Sequence, residues 1–288
     1  MSLPEAQITR YTRWLHESRG LRFDSTTTAG YDALWRWSVD DLRAFWGSIW
    51  DYFEVESPSR YETLLVDETM PGARWFTGAQ VNYARHLFRH AEAAAAAGHP
   101  AIVFQNEVMR RAAASSGAAP FAEVAWPELR RQVASLAASL QRFGIGPGDR
   151  VCAFLPNAPA AVVAFLATAS LGAIWSVCSP DMGPVAVLDR FRQIEPKVLI
   201  TCDGYRYGGV EHDRLEVVKG LVDGLPSVRD VVLWRYLDAG ADSARLATPG
   251  RGLHDFERLT SDDPLFEPTW VGFDHPLWVV YSSGTTGL

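Results

Sequence analysis

The sequence predicts an α/β protein with a doubly wound, mostly parallel sheet flanked by helices and a helical amino-terminal extension. Three observations predict this fold. Strands and helices alternate regularly after residue 144, the strands are apolar along their length, and helices with apolar faces come first in the chain. Uniformly apolar strands that alternate with helices are typical of a parallel sheet covered on both faces. The 288 residues are enough for about two domains.

Two helices are predicted in the amino-terminal region. In SVDDLRAFWGSIWDYF, Ser38 can cap a helix and Asp41 stands at the reciprocal position of a capping box. Apolar residues then follow the spacing of one buried helical face: Leu42, Phe45, Trp46, Ile49 and Trp50. A second helix is predicted from Val81 to Ala97, because Gly98 and Pro100 follow as stop signals. We place the first domain boundary at residue 98.

A pair of strands and a helix are predicted next. Strands at 101–105 and 121–126 are expected to pair as a hairpin, and the Ala/Ser/Gly stretch from Ala112 to Ala119 between them predicts a surface loop. Pro127 then opens a helix. Its apolar stripe consists of Leu129, Val133, Leu136, Leu140 and Phe143.

From Gly144 onward the predicted order is βαβαβ. The strands are 151–155, 173–178 and 198–202, and the helices are 159–171 and 185–194. Further strands are predicted at 231–234 and 277–281, with a polar loop at 239–252. The glycines at 144, 146 and 148 leave a helix and enter a strand, so they predict a turn rather than a dinucleotide site, which needs the reverse order.

Composition and charge exclude several classes of partner. The net charge of −7 and the pI near 5.5 argue against nucleic acid or an anionic membrane as partner, because both recruit a basic surface. The longest apolar stretch, Ala158 to Ala173, is too short to span a bilayer, and we find no targeting signal. Cys152, Cys178 and Cys202 lack metal-ligand spacing, so we expect buried, reduced thiols, no metal site and a cytoplasmic protein.

The strongest site signal is the sequence YSSGTTGL after the last predicted strand. A strand followed by a glycine-rich loop presents backbone N–H groups to an anion, and hydroxyl side chains add neutral donors. The loop residues are Ser282, Ser283, Gly284, Thr285, Thr286 and Gly287. Two residues separate the glycines, so the loop is not the usual GxxxxGK[ST] phosphate loop. A turn without function remains the alternative from the residues alone.

The loop and four other segments resemble the adenylate-forming enzymes, which include acyl-CoA synthetases, luciferases and peptide-synthetase adenylation domains. FGIGPGDRVCAFLPNAPAAVVAFLATASLGAIWSVCSPD resembles the core of that family. WRWSVDDLRAFWGSIWDYF and RWFTGAQVNYARHLF resemble the amino-terminal extension of short-chain acyl-CoA synthetases. SVCSPDMGPVAVLDRFRQIEPKVLITCDGYRYGG and FDHPLWVVYSSGTTGL are similar to the acetoacetate-activating branch.

The resemblance implies a two-step ligase with ATP, Mg²⁺ and coenzyme A as co-substrates. Residues 282–287 would enclose the ATP phosphates, and Arg206 would contact a nucleotide phosphate of coenzyme A, although a solvated surface arginine is the alternative for Arg206. Gly209 departs from the pattern, because acetyl-activating relatives carry a second arginine there. The resemblance also implies a role in ketone-body and fatty-acid metabolism.

Residues 1–98 would then be the extension of short-chain acyl-CoA synthetases and residues 99–288 the first part of an AMP-binding domain, ending at the phosphate loop. No catalytic set is complete in these residues, so we expect the isolated chain to be inactive. Two alternatives stay open. The acid could be another short-chain one such as acetate or propionate, or the chain could be a non-catalytic α/β module that binds a nucleotide or a protein.

Overall fold

The computed structural model describes residues 5–117 and 119–282. The chain divides into two compact units: Met1–Val81 with Gly272–Asp274, and Asn82–Val271 with His275–Leu288. The assignment of family domains on either side of residue 98 stays a prediction.

The first unit consists of helices and short strands. They are α1 (Gln7–Arg19), α2 (Thr28–Asp40), α3 (Leu42–Tyr52), β1 (Thr63–Asp67), β2 (Arg74–Thr77) and β3 (Gln80–Val81). Aromatic side chains dominate its core, where the rings of Trp50 and Phe76 stack with centroids 4.8 Å apart. Trp46, which was predicted to share the buried face of α3 with Trp50, is 40% exposed.

The helix predicted to begin at Ser38 begins three residues later. Ser38 lies inside α2, where its hydroxyl donates a hydrogen bond to the Trp35 carbonyl (2.7 Å). Asp41 is the cap of α3, because its carboxylate accepts a hydrogen bond from the Ala44 amide (2.9 Å). The prediction was wrong because a preceding helix, capped by Thr27, already runs through Ser38.

The second unit contains most of the regular structure. In chain order its elements are α4 (Tyr83–Phe88), α5 (Ala91–Ala96), β4 (Ile102–Phe104), α6 (Glu107–Ser116), β5 (Ala122–Val124), α7 (Trp126–Arg142), β6 (Arg150–Phe154), α8 (Pro159–Ser170), β7 (Ile174–Cys178), α9 (Pro184–Ile194), β8 (Val198–Cys202), β9 (Gly204–Tyr207), β10 (Val210–Asp213), α10 (Leu215–Gly224), β11 (Asp230–Trp234), a 3₁₀ turn (Ser243–Leu246), β12 (Gly252–Asp255) and α11 (Phe256–Leu259). A two-residue strand, β13 (Val271–Gly272), follows.

A five-stranded parallel sheet in the order β12-β11-β8-β6-β7 forms the centre of this unit. Successive residues of β6 face opposite sides, as a strand requires. Val151 and Ala153 contact the core that includes α7 and α8, whereas Cys152 and Phe154 contact the core that includes α9 and α10. The sheet is therefore covered on both faces, and the predicted doubly wound α/β fold is confirmed.

The first part of the segment predicted as a loop from Ala112 to Ala119 is helical instead, and residue 118 lies outside the described residues. Residues up to Ser116 belong to α6, whose cap Asn106 accepts a hydrogen bond from the Met109 amide (2.9 Å). Alanine is the strongest helix former, and here its propensity outweighs that of the serines and glycine. The strands on either side, β4 and β5, pair antiparallel, as predicted.

The predicted helix from Val81 to Ala97 is divided into α4 and α5. Asn82 begins α4, because its side-chain oxygen accepts a hydrogen bond from the Arg85 amide (3.2 Å). The Asn82 amide nitrogen donates to the carbonyls of Ala169, Ser170 and Thr269 at 2.9 to 3.2 Å. This buried side chain therefore fastens the start of α4 to the end of α8.

Candidate functional site at the carboxyl edge of the sheet

The segment that leads into the predicted phosphate loop lies alongside β7. The Trp175 amide donates to the Leu277 carbonyl (3.0 Å), and the Val279 amide donates to the Trp175 carbonyl (2.8 Å). The Ser176 hydroxyl donates to the Val279 carbonyl (3.0 Å). The structure has one isolated parallel bridge here, between Trp175 and Trp278, so the prediction of a strand at 277–281 was wrong. The direction is nevertheless that of the sheet, and the segment leaves at its carboxyl edge.

Tyr281 and Arg190 form the base of the predicted loop. The Tyr281 hydroxyl donates to the Arg190 carbonyl (3.0 Å), and the Arg190 guanidinium lies over the Tyr281 ring, 5.3 Å from its centroid. One guanidinium nitrogen also contacts the Met182 sulfur (3.1 Å). Burial raises the pKa of the Tyr281 phenol. The phenol is therefore a neutral hydrogen-bond donor at physiological pH and fixes the chain where the loop begins.

Only the first residue of the predicted loop, Ser282, belongs to the part of the chain that the structure describes. The other members lie outside the described residues: Ser283, Gly284, Thr285, Thr286 and Gly287. Their contact with ATP phosphates therefore stays a prediction.

The predicted coenzyme A residue, Arg206, lies in a hairpin of β9 and β10. It stands opposite Glu211 in the antiparallel register, and its Nε donates to the Glu211 carboxylate (2.8 Å). Both side chains are exposed, at 38% and 58%. Arg214, which follows β10, donates hydrogen bonds to the Pro180 carbonyl (2.9 Å) and the Tyr205 hydroxyl (3.0 Å) and so holds the hairpin in place.

The hairpin tip is formed by Gly208 and Gly209, which both have positive φ angles (60° and 82°). The Gly209 amide donates to both carboxylate oxygens of Glu107 on α6, each at 3.1 Å. The guanidinium of Arg111, one turn further along α6, lies against the same glycine. A glycine is needed here for the backbone conformation and for the close approach of Arg111.

The described segments that lead to the two predicted phosphate contacts leave one sheet at its carboxyl edge. Arg206 follows β8 and the loop follows the segment beside β7, with β6 and β7 between them. Three strand spacings separate the two exits, which is about 14 Å. The carboxyl edge of an open parallel sheet is where ligands of such folds bind.

Two buried groups at the end of β8, Asp203 and Cys202, are held in inert forms. The buried Asp203 carboxylate, at the end of β8, accepts hydrogen bonds from the amides of Tyr236, Leu237 and Asp238 at 2.7 to 2.8 Å. Burial raises the pKa of the Cys202 thiol to about 12. Cys152, Cys178 and Cys202 are all free and buried, which confirms the prediction for the cysteines.

Residues 5–117 and 119–282 contain neither a candidate metal cluster nor a candidate membrane-spanning helix. No group of three or more histidine, cysteine or acidic side chains there could hold a metal ion. No helix in that part of the chain is both long and apolar enough to cross a bilayer.

A family model described as AMP-binding enzyme matches residues 90–288, which is more than half of the chain. The chain belongs to the AMP-binding enzyme family. A second model, the acetyl-coenzyme A synthetase N-terminus, matches residues 31–87. Residues 31–87 and 90–288 therefore match successive segments of AMP-binding enzymes of the acyl-CoA synthetase type.

Individual AMP-binding relatives are similar over nearly the whole chain. Acetoacetyl-coenzyme A synthetase from Rhizobium meliloti is 38% identical over 98% of this chain and 40% of its own length. The solved structure of acetoacetyl-CoA synthetase from Streptomyces lividans is 47% identical, with a TM-score of 0.86 over 99% of this chain and 40% of that one. Malonamoyl-CoA synthetase from Penicillium aethiopicum is 34% identical over 89% of this chain and 35% of its own length. The chain thus spans about 40% of the length of the curated relatives it matches.

Sequence reasoning missed three side chains that the structure brings to this edge. Arg190 was seen only as part of a helix, and Asp203 only as the residue after a strand. Arg111 was passed over beside a segment read as a loop. The alanine-rich composition of α6 was the signal that would have placed Arg111 on a helix. The contacts of Arg190 and Asp203 are long-range, so no local pattern carries them.

Proposed function

We propose that this chain is the amino-terminal part of an ATP-dependent acid–thiol ligase that joins acetoacetate to coenzyme A. The observation that carries the proposal is the AMP-binding match over residues 90–288, which includes the loop YSSGTTGL at the end of a segment parallel to β7. The names of the relatives support acetoacetate as the acid. Three buried free thiols support a reducing compartment, so we place the enzyme in the cytoplasm.

The proposed reaction has two steps. An oxygen of the acid carboxylate attacks the α-phosphorus of MgATP, and the bond to pyrophosphate breaks to leave an acyl-adenylate. The coenzyme A sulfur then attacks the acyl carbonyl, its proton passes to solvent, and AMP leaves. Mg²⁺ enters as part of the substrate MgATP.

In this proposal, residues 282–287 bind the β- and γ-phosphates of ATP. Negative charge accumulates on the departing pyrophosphate, and donors aimed at that charge lower the barrier. Backbone amides and hydroxyls suit this task because they donate hydrogen bonds without moving a proton. The Tyr281 and Arg190 contacts support it, since a phosphate loop must begin from a fixed point.

Arg206 takes a coenzyme A phosphate in this proposal. In the complete gene product that contains this chain, Arg206→Ala should raise the KM for coenzyme A, because a charge-assisted hydrogen bond contributes about 1.5–3 kcal/mol. Adenylate formation should be unchanged. Equal loss in both half-reactions would show that Arg206 supports folding instead.

A pyrophosphate-release assay on the complete gene product tests the acid. Acetoacetate, acetate, propionate and malonamate should be compared at equal concentrations. We expect the highest kcat/KM with acetoacetate, and faster turnover of acetate would contradict the assignment. The malonamoyl-CoA synthetase relative is the reason to include the fourth acid.

The same assay addresses the non-catalytic alternative. A module that only binds a nucleotide or a protein releases no pyrophosphate with any acid. A release rate equal to that of a no-protein control, with all four acids, would favour that alternative.

A further inference from the structure

The guanidinium of Arg111 occupies the place where a side chain at position 209 would lie. A Cβ added to Gly209 would stand 2.5 Å from Nη2 and 2.9 Å from Nη1 of Arg111. A side chain at position 209 would therefore have to displace the guanidinium, which is the flexible end of the Arg111 side chain. Glycine at 209 therefore makes room for an arginine that comes from another element, α6.

Helix α6 is attached to the hairpin tip at the position one turn before Arg111. Each carboxylate oxygen of Glu107 accepts a hydrogen bond from the Gly209 amide at 3.1 Å. Residues four apart lie on the same helix face, so this attachment also directs Arg111 to the tip. The neighbouring Arg110 is also exposed, but the three atoms nearest to a Cβ at position 209 all belong to Arg111.

The two arginines of the tip differ in their partners. Arg206 is paired with Glu211. The Arg111 guanidinium makes no hydrogen bond or ion pair with any residue in the described ranges 5–117 and 119–282, and it is exposed. The hairpin tip therefore offers one guanidinium whose donors are all available to an anion from solution.

We propose that Arg111 supplies the second cation of the coenzyme A phosphate site in which Arg206 is the first. The inference rests on the proposed function, since it names coenzyme A as the ligand. In this proposal the second cation comes from α6, which Glu107 attaches to the hairpin tip beside Gly209. Planar guanidinium groups bind phosphate in a bidentate manner.

Coenzyme A kinetics of the complete gene product test this proposal. Arg111→Gln should raise the KM for coenzyme A about tenfold, the effect of losing one charge-assisted contact. Arg110→Gln removes the same charge from the same helix and should leave this KM unchanged. Exchange of pyrophosphate into ATP, which needs no coenzyme A, should be normal in both variants.

Two more measurements separate phosphate binding from a structural role. With pantetheine, which has the same thiol but no nucleotide, Arg111→Gln and the wild type should be equally fast. Arg111→Lys, which keeps the positive charge, should retain part of the affinity for coenzyme A that Arg111→Gln loses.

Each result bears on one proposal or the other. An unchanged KM for coenzyme A in Arg111→Gln would overturn the role of Arg111, and so would an equal loss of activity with pantetheine. Neither result would contradict the proposed ligase function. Absence of any coenzyme A thioester from the wild type would instead overturn the proposed function.

Discussion

The base of the phosphate loop and the β9–β10 hairpin leave the same edge of the sheet, but different forces hold them. At the loop base, Tyr281 and Val279 are held by backbone carbonyls and a neighbouring hydroxyl, beside buried strands. At the hairpin, the main side-chain contact is the exposed pair Arg206–Glu211. In the proposed function the loop wraps transferring phosphates and needs a fixed start, whereas the hairpin captures a charged substrate from solution and needs accessible cations.

Removing the largest side chain beneath the loop base should have the greatest effect. Trp175 is 1% exposed, so Trp175→Ala should lower the free energy of unfolding by about 3–5 kcal/mol through lost burial and a cavity. Tyr207 on the hairpin is 76% exposed, and Tyr207→Ala should change the free energy of unfolding by less than about 0.5 kcal/mol. Urea unfolding measures both. Similar losses would show that the two regions do not differ in the way described.

The thiol below the hairpin predicts a fall in stability at alkaline pH. The pKa of Cys202 is raised to about 12 by burial, from an ordinary value near 9. Below pH 9 both states keep the proton and the stability is fully present. Between pH 9 and 12 the unfolded chain loses the proton while the folded chain keeps it, so the free energy of unfolding falls as pH rises.

Urea unfolding at pH 8 and pH 10.5 measures this effect. The contribution of Cys202 to the difference should be about 2 kcal/mol, so Cys202→Ala should show a correspondingly smaller difference between the two pH values. Equal differences in the two proteins would contradict the assignment to this thiol.

The sequence was informative where local pattern and burial coincide. The strand Val198–Cys202 was predicted to the residue because four of its five residues are apolar and all five are buried. The start of α3 was misplaced because Ser38 and Asp41 are both good caps, and only the extent of α2 decides between them. At the candidate site, the hairpin tip likewise shows that local sequence patterns do not reveal long-range contacts. Arg206 and Gly209 were found from a motif, but Arg111 is 98 residues from Gly209, and only folding brings them together.

Arg190 should matter for the position of the loop. Arg190→Ala removes the cation above the Tyr281 ring, a contact that contributes about 1–2 kcal/mol when partly buried, so exchange of pyrophosphate into ATP by the complete gene product should fall about tenfold. Arg192 lies on the same helix and donates to the Gly224 carbonyl at the surface, so Arg192→Ala is the matched control and should retain normal exchange. Equal loss in both variants would remove any special role of Arg190.

The smallest effect is expected at the hairpin pair. Glu211→Gln should change the free energy of unfolding by less than about 1 kcal/mol, because exposed ion pairs contribute little in water. Urea unfolding of this variant at low and high salt measures it. A loss above about 2 kcal/mol would mean that the pair is structural, and the contrast with the loop base would fail.

The most direct test of the central claim is exchange of pyrophosphate into ATP with acetoacetate and magnesium, measured in parallel on the chain Met1–Leu288 and on the complete gene product. Adenylate formation needs cationic charge around the transferring phosphates, and the only lysines here, Lys197 and Lys219, lie far from the loop in sequence. We predict exchange by the complete gene product and none by the 288-residue chain above a no-protein control. Exchange by the chain alone, or none by the complete gene product, would contradict the account.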